Sequence, residues 1–240
     1  VLRQNVGPLI IVRLVAIQVE GASSDPVVKR ATGPHIVHRQ HIIPHDAGPF
    51  ADADDPRFPR LRQIADPNHR MPRDLLPQAH SVISFFVPFH QEVVRANASH
   101  PKAVAETWAR AYVETNDLIG TITRRLIAFL GKQGERAASQ PATGSFDERA
   151  LTSRWSHKSA AVIAGLGSFG LHQMVITDAG CAGRLGSLVT EARLPASSAH
   201  PRERCLYFYD GSCRACVGRC PLYALSTDEP FDRRVCWQRC

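Results

Sequence analysis

The sequence predicts a mixed α+β fold with a small cysteine-rich module at its C-terminal end. Residues 81–87 are β-branched and aromatic, which is typical of a buried strand. Residues 103–130 repeat apolar side chains at the helical period, which predicts the main core helix. Six of the seven cysteines lie between Cys205 and Cys240. We therefore expect an α+β domain over residues 1–200, which would bind cofactor or substrate, and a cysteine module over residues 201–240.

Composition limits the classes of protein that the chain can belong to. Of its 240 residues, 44% are hydrophobic and 21% are charged, as in globular proteins with a core. The longest apolar run, residues 9–19, contains Arg13 and Gln18 and is shorter than the roughly 20 residues of a membrane-spanning helix, so no membrane partner is expected. No signal-peptide pattern occurs, and we expect a cytoplasmic protein. The net charge of +7 suits a polyanion such as nucleic acid, although no run of Lys and Arg is concentrated enough to mark a binding face.

Residues 1–69 are the hardest part of the chain to interpret. Residues 1–30 favour a β-prone segment and then a loop, and residues 31–74 favour irregular structure around short helices. Four histidines recur every three or four positions, as metal ligands on a helix would: His35, His38, His41 and His45. Because Pro44 interrupts this pattern and no acidic residue is interleaved, we interpret them as surface or core histidines.

Further elements follow in the second half of the α+β domain. Pro88 ends the strand over residues 81–87, and Gly131 and Gly134 close the core helix. A second helix is expected over residues 147–164. Residues 174–177 and 185–190 favour two strands joined by a turn, as a hairpin.

The cysteine module has the spacing Cys205-x7-Cys213-x2-Cys216-x3-Cys220-Pro221. Short spacings that end in Cys-Pro are typical of bacterial ferredoxins, in which thiolates converge on a 4Fe-4S cluster. Zinc and a disulfide knot are the alternatives, but zinc sites usually pair two-residue spacings and a reducing compartment disfavours disulfides. The predicted metal ligands are Cys205, Cys213, Cys216, Cys220, Cys236 and Cys240. One cluster is expected, and a second would need Cys181 or a ligand other than cysteine.

Residues 165–170 read GLGSFG and match the dinucleotide-binding pattern. A true fingerprint follows a strand and opens a helix, with an acidic residue about 20 positions further on. The residues after Gly170 favour a strand instead. We therefore interpret the motif as a glycine turn that brings backbone close to another group, such as a cofactor, rather than as an NAD site.

The glycine motif at residues 164–170, the GRLGS segment at residues 183–187 and the cysteine module resemble, in this order, the epoxyqueuosine reductase family. Residues 75–79, which lead into the first predicted strand, are also similar. The resemblance covers roughly residues 70–240. It implies a nitroreductase-like domain that binds cobalamin, with flavin as the alternative, and a ferredoxin-like 4Fe-4S module. In that family, which is distantly related to reductive dehalogenases, electrons reach cobalamin and reduce an epoxide on a modified tRNA base while a carboxylic acid supplies a proton.

The resemblance also implies site residues. The second cofactor would be lined by Gly165, Gly167, Gly170, Gly183, Gly186 and Ser187, since only glycine lets backbone approach a flat macrocycle closely. The family's acidic residue falls near Leu151, so the proton donor departs from the family pattern. Asp147 and His157 are the candidates that remain, with a surface cap and a core histidine as the alternative readings.

These observations predict an iron-sulfur oxidoreductase that passes electrons from a 4Fe-4S cluster to a second cofactor for reduction of an unknown substrate. A ferredoxin or flavodoxin would donate the electrons, and the substrate would be a tRNA or a small molecule. A non-catalytic electron carrier or cobalamin-handling protein is the first alternative. A zinc-stabilised nucleic-acid-binding protein is the second.

Overall fold

A four-stranded antiparallel sheet forms the centre of the molecule in the computed structural model, which describes residues 48–100, 103–141, 144–197 and 203–238. Its strands, in spatial order, are β1 (Phe50–Asp52), β2 (Ser81–Pro88), β8 (Gly183–Thr190) and β3 (Ala137–Ala138). Strands β2 and β8 pair along their whole length, with Ser84 opposite Ser187. Every residue of β2 is buried, which explains its continuous run of β-branched and aromatic side chains.

Two small antiparallel hairpins lie outside the central sheet. One joins β4 (Phe146–Asp147) to β5 (Thr152–Ser153), and the other joins β6 (Gly167–Phe169) to β7 (Val175–Thr177). Leu151, just before β5, has a φ of 53°, a left-handed conformation that is uncommon for a leucine. The chain therefore turns sharply at this point and cannot continue as a helix.

Eight helices occur in the described residues: α1 (Arg57–Ile64), α2 (Pro72–Leu75), α3 (Gln91–Ala98), α4 (Glu106–Lys132), α5 (His157–Ile163), α6 (Leu206–Asp210), α7 (Ala215–Arg219) and α8 (Arg233–Trp237). Helix α4 is the longest, with 27 residues. The last three helices are short and belong to the cysteine module. None of the helices in the described part of the chain is long and apolar enough to cross a membrane.

Helix α4 covers one face of the central sheet. Leu118, Ile122 and Leu126 of this helix pack against Phe85 and other strand residues in one core cluster. These helix positions recur every three to four residues, so one stripe of α4 faces the sheet. This arrangement follows directly from the apolar period that the sequence shows.

Helices α1 and α5 cover the opposite face. Phe58 of α1, Ile163 of α5 and the intervening Trp155 form a second core cluster with Val82 and Val189 of the sheet. The rings of Phe58 and Trp155 are stacked with centroids 6.2 Å apart. The sheet is thus enclosed between helices on both sides, and the polar side chains of this second face become buried.

The structure confirms several of the sequence predictions and corrects two, and others lie outside the described residues. The strand over residues 81–87 and the helix over residues 103–130 are confirmed, and so is a mixture of helices and antiparallel strands. The prediction of a helix over residues 147–164 was wrong. The β4–β5 hairpin occupies the first half of this range, and helix α5 begins only at His157. Both strands of the expected hairpin exist, but they do not pair, because β7 pairs with β6 and β8 pairs with β2. The expectations for residues 1–47, including the four spaced histidines, and for Cys240 lie outside the described residues.

Candidate functional site

Ser187 is the centre of a buried polar group on the α5 face of the sheet. It lies in the middle of β8 and is 1% exposed. The indole Nε1–H of Trp155 donates a hydrogen bond of 3.0 Å to its Oγ atom. Nδ1 of His157 lies 2.7 Å from the same oxygen. The structure therefore brings two predicted site residues, His157 and Ser187, into direct contact.

The start of α5 determines where His157 lies. The side chain of Ser156 caps the helix by accepting a hydrogen bond from the backbone N–H of Ser159. The backbone N–H of the same residue, Ser156, donates a hydrogen bond of 3.2 Å to Nε2 of the buried His69. His69 lies 87 positions earlier in the chain, so its role in positioning α5 has no local signal in the sequence.

Burial lowers the pKa of His157 to about 4, with a further lowering by the Arg184 guanidinium and an opposing effect of the Gln140 carbonyl. The imidazole is therefore neutral at pH 7. Its Nε2 atom is buried and forms no hydrogen bond of ordinary geometry with the described residues, although the Gln140 carbonyl is near enough to the imidazole to raise its pKa. This lowered pKa weighs against His157 as a general acid, because a neutral imidazole holds no proton that it can release readily, and a catalytic role for His157 stays a prediction.

Asp147, the other candidate proton donor, lies in the β4–β5 hairpin and is exposed. Its Oδ1 atom accepts hydrogen bonds from the N–H groups of Arg149 and Ala150, at 2.8 and 2.9 Å. These contacts are those of a turn cap. Asp66 also holds this hairpin, because its carboxylate accepts a hydrogen bond from the Thr152 hydroxyl.

The predicted cofactor glycines are required by packing within the protein. A Cβ atom at Gly167 would lie 2.3 Å from the Ile176 carbonyl oxygen, and one at Gly186 would lie 2.3 Å from the Phe85 ring. Cβ atoms at Gly170 and Gly183 would also be closer than 3.0 Å to neighbouring atoms. Gly165 turns the chain after α5 with a φ of 78°. Neighbouring strands and side chains thus account for these glycines, and their contact with a cofactor stays a prediction.

The predicted cysteine ligands lie at the ends of the three short helices. Cys205 precedes α6, Cys216 lies in α7, Cys220 ends α7 and Cys236 lies in α8. Cys213 lies in the loop before α7. Cys205, Cys213, Cys216 and Cys220 form no disulfide within the described residues.

Three of these thiols are neighbours. The pKa of Cys216 is raised, first by burial and also by the nearby Cys205 and Cys213. Within the described residues, no group of three or more His, Cys, Asp or Glu side chains could hold a single metal ion. In a 4Fe-4S cluster each cysteine binds a different iron atom rather than a shared one. The electrostatic effect of Cys205 and Cys213 on Cys216 is compatible with such a cluster, and cluster binding stays a prediction.

The turn between β6 and β7 contacts both Cys205 and Lys158, the residue after His157. The backbone N–H of Leu171 points at Sγ of Cys205, with 3.5 Å between nitrogen and sulfur. In the same turn, the carbonyl of Gln173 accepts a hydrogen bond of 3.1 Å from Nζ of Lys158, the residue after His157. Burial lowers the pKa of Lys158, while the nearby Cys236 raises it. The sequence did not single out Leu171 or Gln173, because neither has an ionisable or ligating side chain.

No family model matches the chain. Over 179 residues it is 27% identical to an epoxyqueuosine reductase of Gloeobacter violaceus, which covers 73% of this chain and 50% of that protein. The chain is similar to epoxyqueuosine reductases. This match confirms the resemblance found from the glycine and cysteine motifs. The chain spans about half the length of the curated relative.

Solved structures of epoxyqueuosine reductases give further matches. The protein from Bacillus subtilis matches with 18% identity and a TM-score of 0.49, over 87% of this chain and 53% of that one. The protein from Streptococcus thermophilus matches with 17% identity and a TM-score of 0.48, over 88% of this chain and 54% of that one. A third structure contains an epoxyqueuosine-modified tRNA-Tyr stem loop and matches with 19% identity and a TM-score of 0.49, over 87% of this chain and 53% of that one.

Proposed function

We propose that the chain is an iron-sulfur oxidoreductase of the epoxyqueuosine reductase type, which passes electrons from a 4Fe-4S cluster to a second cofactor. The observation that carries this proposal is the Cys205-x7-Cys213-x2-Cys216-x3-Cys220-Pro221 module, whose first cysteine lies against the β6–β7 turn. The similarity to a curated epoxyqueuosine reductase supports it. A ferredoxin-like fold of the cysteine module and a nitroreductase-like fold of the sheet domain are parts of the same proposal.

Four thiolates would hold the cluster: Cys205, Cys213, Cys216 and Cys220. When bound, the cluster supplies single electrons at a low potential that its surroundings tune. Cys236 and Cys240 would complete it or belong to a second cluster. Because such thiolates persist in a reducing compartment, we place the protein in the cytoplasm.

The second cofactor would be cobalamin, with flavin as the alternative, beside the α5 face of β8. Around a bound cofactor, the buried Trp155 and Ser187 would exclude water, and His157 would offer a neutral hydrogen-bonding group. When Ser187 accepts the Trp155 N–H and donates its hydroxyl proton to Nδ1 of His157, the imidazole proton lies on Nε2. Nε2 of His157 is buried and forms no hydrogen bond of ordinary geometry with the described residues, so a bound group would offer it a better partner than the Gln140 carbonyl does.

The substrate that we propose to test first is an epoxide on a modified tRNA base. Removing an epoxide oxygen as water consumes two electrons and two protons. A cluster that carries one electron at a time must therefore be reduced twice, by a ferredoxin or flavodoxin. The positive net charge of +7 is suited to a tRNA. Asp147, on the exposed hairpin, is the carboxyl group that we propose as proton source, and it would have to take up a proton from solvent before donating it.

Reduction with a counted supply of electrons tests this proposal. Protein prepared without oxygen is loaded with iron and sulfide, reduced with dithionite and freed of excess reductant. It is then mixed, in at least fourfold molar excess, with hydroxocobalamin and an epoxyqueuosine-containing stem loop, because each cluster carries one electron and the two reductions together need up to four. We expect reduced cobalamin and loss of the epoxide, and neither with a Cys216→Ser variant. Cobalamin reduction without loss of the epoxide would point to a different substrate or to an electron carrier. A loaded, reduced protein that transfers no electron to cobalamin or to flavin would overturn the proposal.

A further inference from the structure

We infer that the β6–β7 turn is part of the cluster site: the Leu171 N–H binds the Cys205 thiolate and raises the reduction potential of the cluster. This inference rests on the proposed function, because it requires the cysteine module to hold a cluster. It concerns a backbone group outside the module, which neither the cysteine spacing nor the glycine motif identifies.

The contact between Leu171 and Cys205 is shielded from water. Leu171 is 9% exposed and Cys205 is 8% exposed, and 3.5 Å separates the nitrogen from the sulfur. This distance is usual for a hydrogen bond to sulfur, whose radius is larger than that of oxygen. In surroundings of low dielectric constant, a fixed N–H dipole that points at a thiolate has a stronger effect than it would have in water.

The turn that presents the Leu171 N–H is held by its own backbone. The N–H of Gly170 donates to the Met174 carbonyl and the N–H of Gln173 donates to the Gly170 carbonyl, each at 2.9 Å. These two hydrogen bonds orient the Leu171 N–H before any cluster binds.

The segment that carries Cys205 is fixed to the same hairpin. Oγ of Ser168 accepts the N–H of Arg204 at 3.1 Å and donates to Oε1 of Glu203 at 3.2 Å. This carboxylate also accepts the N–H of Cys205 at 2.7 Å. Beside it, Arg204 pairs with Asp178 at 2.8 Å. Cys205 is thus held by the α+β domain, in addition to its covalent link to the module.

The same turn reaches the start of α5. Nε2 of Gln173 donates to the Leu171 carbonyl at 3.2 Å, and Nζ of Lys158 donates to the Gln173 carbonyl at 3.1 Å. A short hydrogen-bonded path therefore runs from Cys205 to the residue beside His157. It connects the proposed cluster to the proposed pocket of the second cofactor.

Hydrogen bonds to the sulfurs of a cluster stabilise its reduced form, which carries one more negative charge, and so raise its potential. Removal of this N–H should make the potential more negative without removing any cysteine. Leu171→Pro deletes the donor, and Leu171→Ala keeps it while it removes most of the side chain. The pair separates the effect of the hydrogen bond from that of packing.

A redox titration of each loaded protein, followed by electron paramagnetic resonance of the reduced cluster, tests the inference. We expect the reduction potential of the cluster to be more negative in Leu171→Pro than in Leu171→Ala, and the iron and sulfide content to be equal in the two variants. In Ser168→Ala, which loosens the Glu203 and Arg204 contacts, the reduction potential should also become more negative. This variant tests the inference if Leu171→Pro loses its cluster. Equal potentials in wild type, Ser168→Ala and any loaded Leu171→Pro would overturn the inference and leave the proposed function intact. A wild-type protein that binds no cluster would overturn both.

Discussion

Nδ1 of His157 and Oγ of Ser187 lie 2.7 Å apart on the buried face of the central strand β8. Directly across the β2–β8 ladder, Ser84 carries a second buried hydroxyl, which has no hydrogen-bond partner among the described residues. Two serines in equivalent positions of paired strands thus have opposite hydrogen-bonding states. This difference supplies a matched pair of variants.

Ser187→Ala should destabilise the protein strongly, and Ser84→Ala should not. The first change leaves the buried Trp155 N–H and His157 Nδ1 without their partner, at about 1–3 kcal/mol for each group. The second removes a hydroxyl that forms no hydrogen bond. Chemical denaturation of both variants measures the difference. Equal destabilisation would show that the Ser187 contacts add nothing to stability.

Stability should fall as the pH decreases from about 6.5 towards 4. Burial holds the folded-state pKa of His157 at about 4, below its ordinary value of 6.5, so the unfolded chain binds more protons within this window. The contribution is complete above pH 6.5 and amounts to at most about 3 kcal/mol. Burial also lowers the pKa of His69 and of His172, which adds to the same slope.

Denaturation curves measured between pH 4 and 8 check this prediction. His157→Asn should flatten the slope in part, because His69 and His172 still contribute. His100→Asn, which changes an exposed histidine, is the control for loss of a histidine side chain. A profile of His157→Asn that is parallel to the wild type would contradict the buried, neutral state of His157.

Gly167→Ala and Gly131→Ala should change stability in opposite directions. A Cβ atom at position 167 would lie 2.3 Å from the Ile176 carbonyl oxygen, so the β6–β7 hairpin must shift, at about 1–3 kcal/mol. At position 131, in helix α4, nothing lies within 4 Å, and alanine should stabilise the helix by about 0.5–1 kcal/mol. Thermal unfolding distinguishes the two. A stable Gly167→Ala protein would mean that packing does not require this glycine.

The sequence predicted the elements that have long, regular patterns. The strand over residues 81–87 is recognised from its unbroken run of seven mostly β-branched and aromatic residues, and the core helix from an apolar period that extends over more than twenty residues. The β4–β5 hairpin could not be found, because its strands have two residues each and its turn depends on Leu151 at positive φ. A helix was expected in place of this hairpin because residues 145–164 contain neither glycine nor proline.

The candidate site was predicted only as far as single motifs allow. Cysteine spacing identifies the module, since ligands of one cluster lie close together in the chain. The Ser187 group joins residues that are 30 and 32 positions apart, and the Leu171–Cys205 contact joins residues 34 apart. Such contacts arise from the tertiary fold. The lowered pKa of His157 has the same origin, because burial is a property of its surroundings and not of its neighbours in the chain.

Analysis of bound metal and sulfide tests the central claim most directly. The protein is purified without oxygen, and its iron, acid-labile sulfide and zinc are measured together with its visible absorption. We expect a brown protein with about four iron and four sulfide per chain, as one cluster requires, and a Cys213→Ser control with much less of both. A colourless protein that carries zinc, or one that takes up no iron and sulfide on anaerobic reconstitution, would contradict the account.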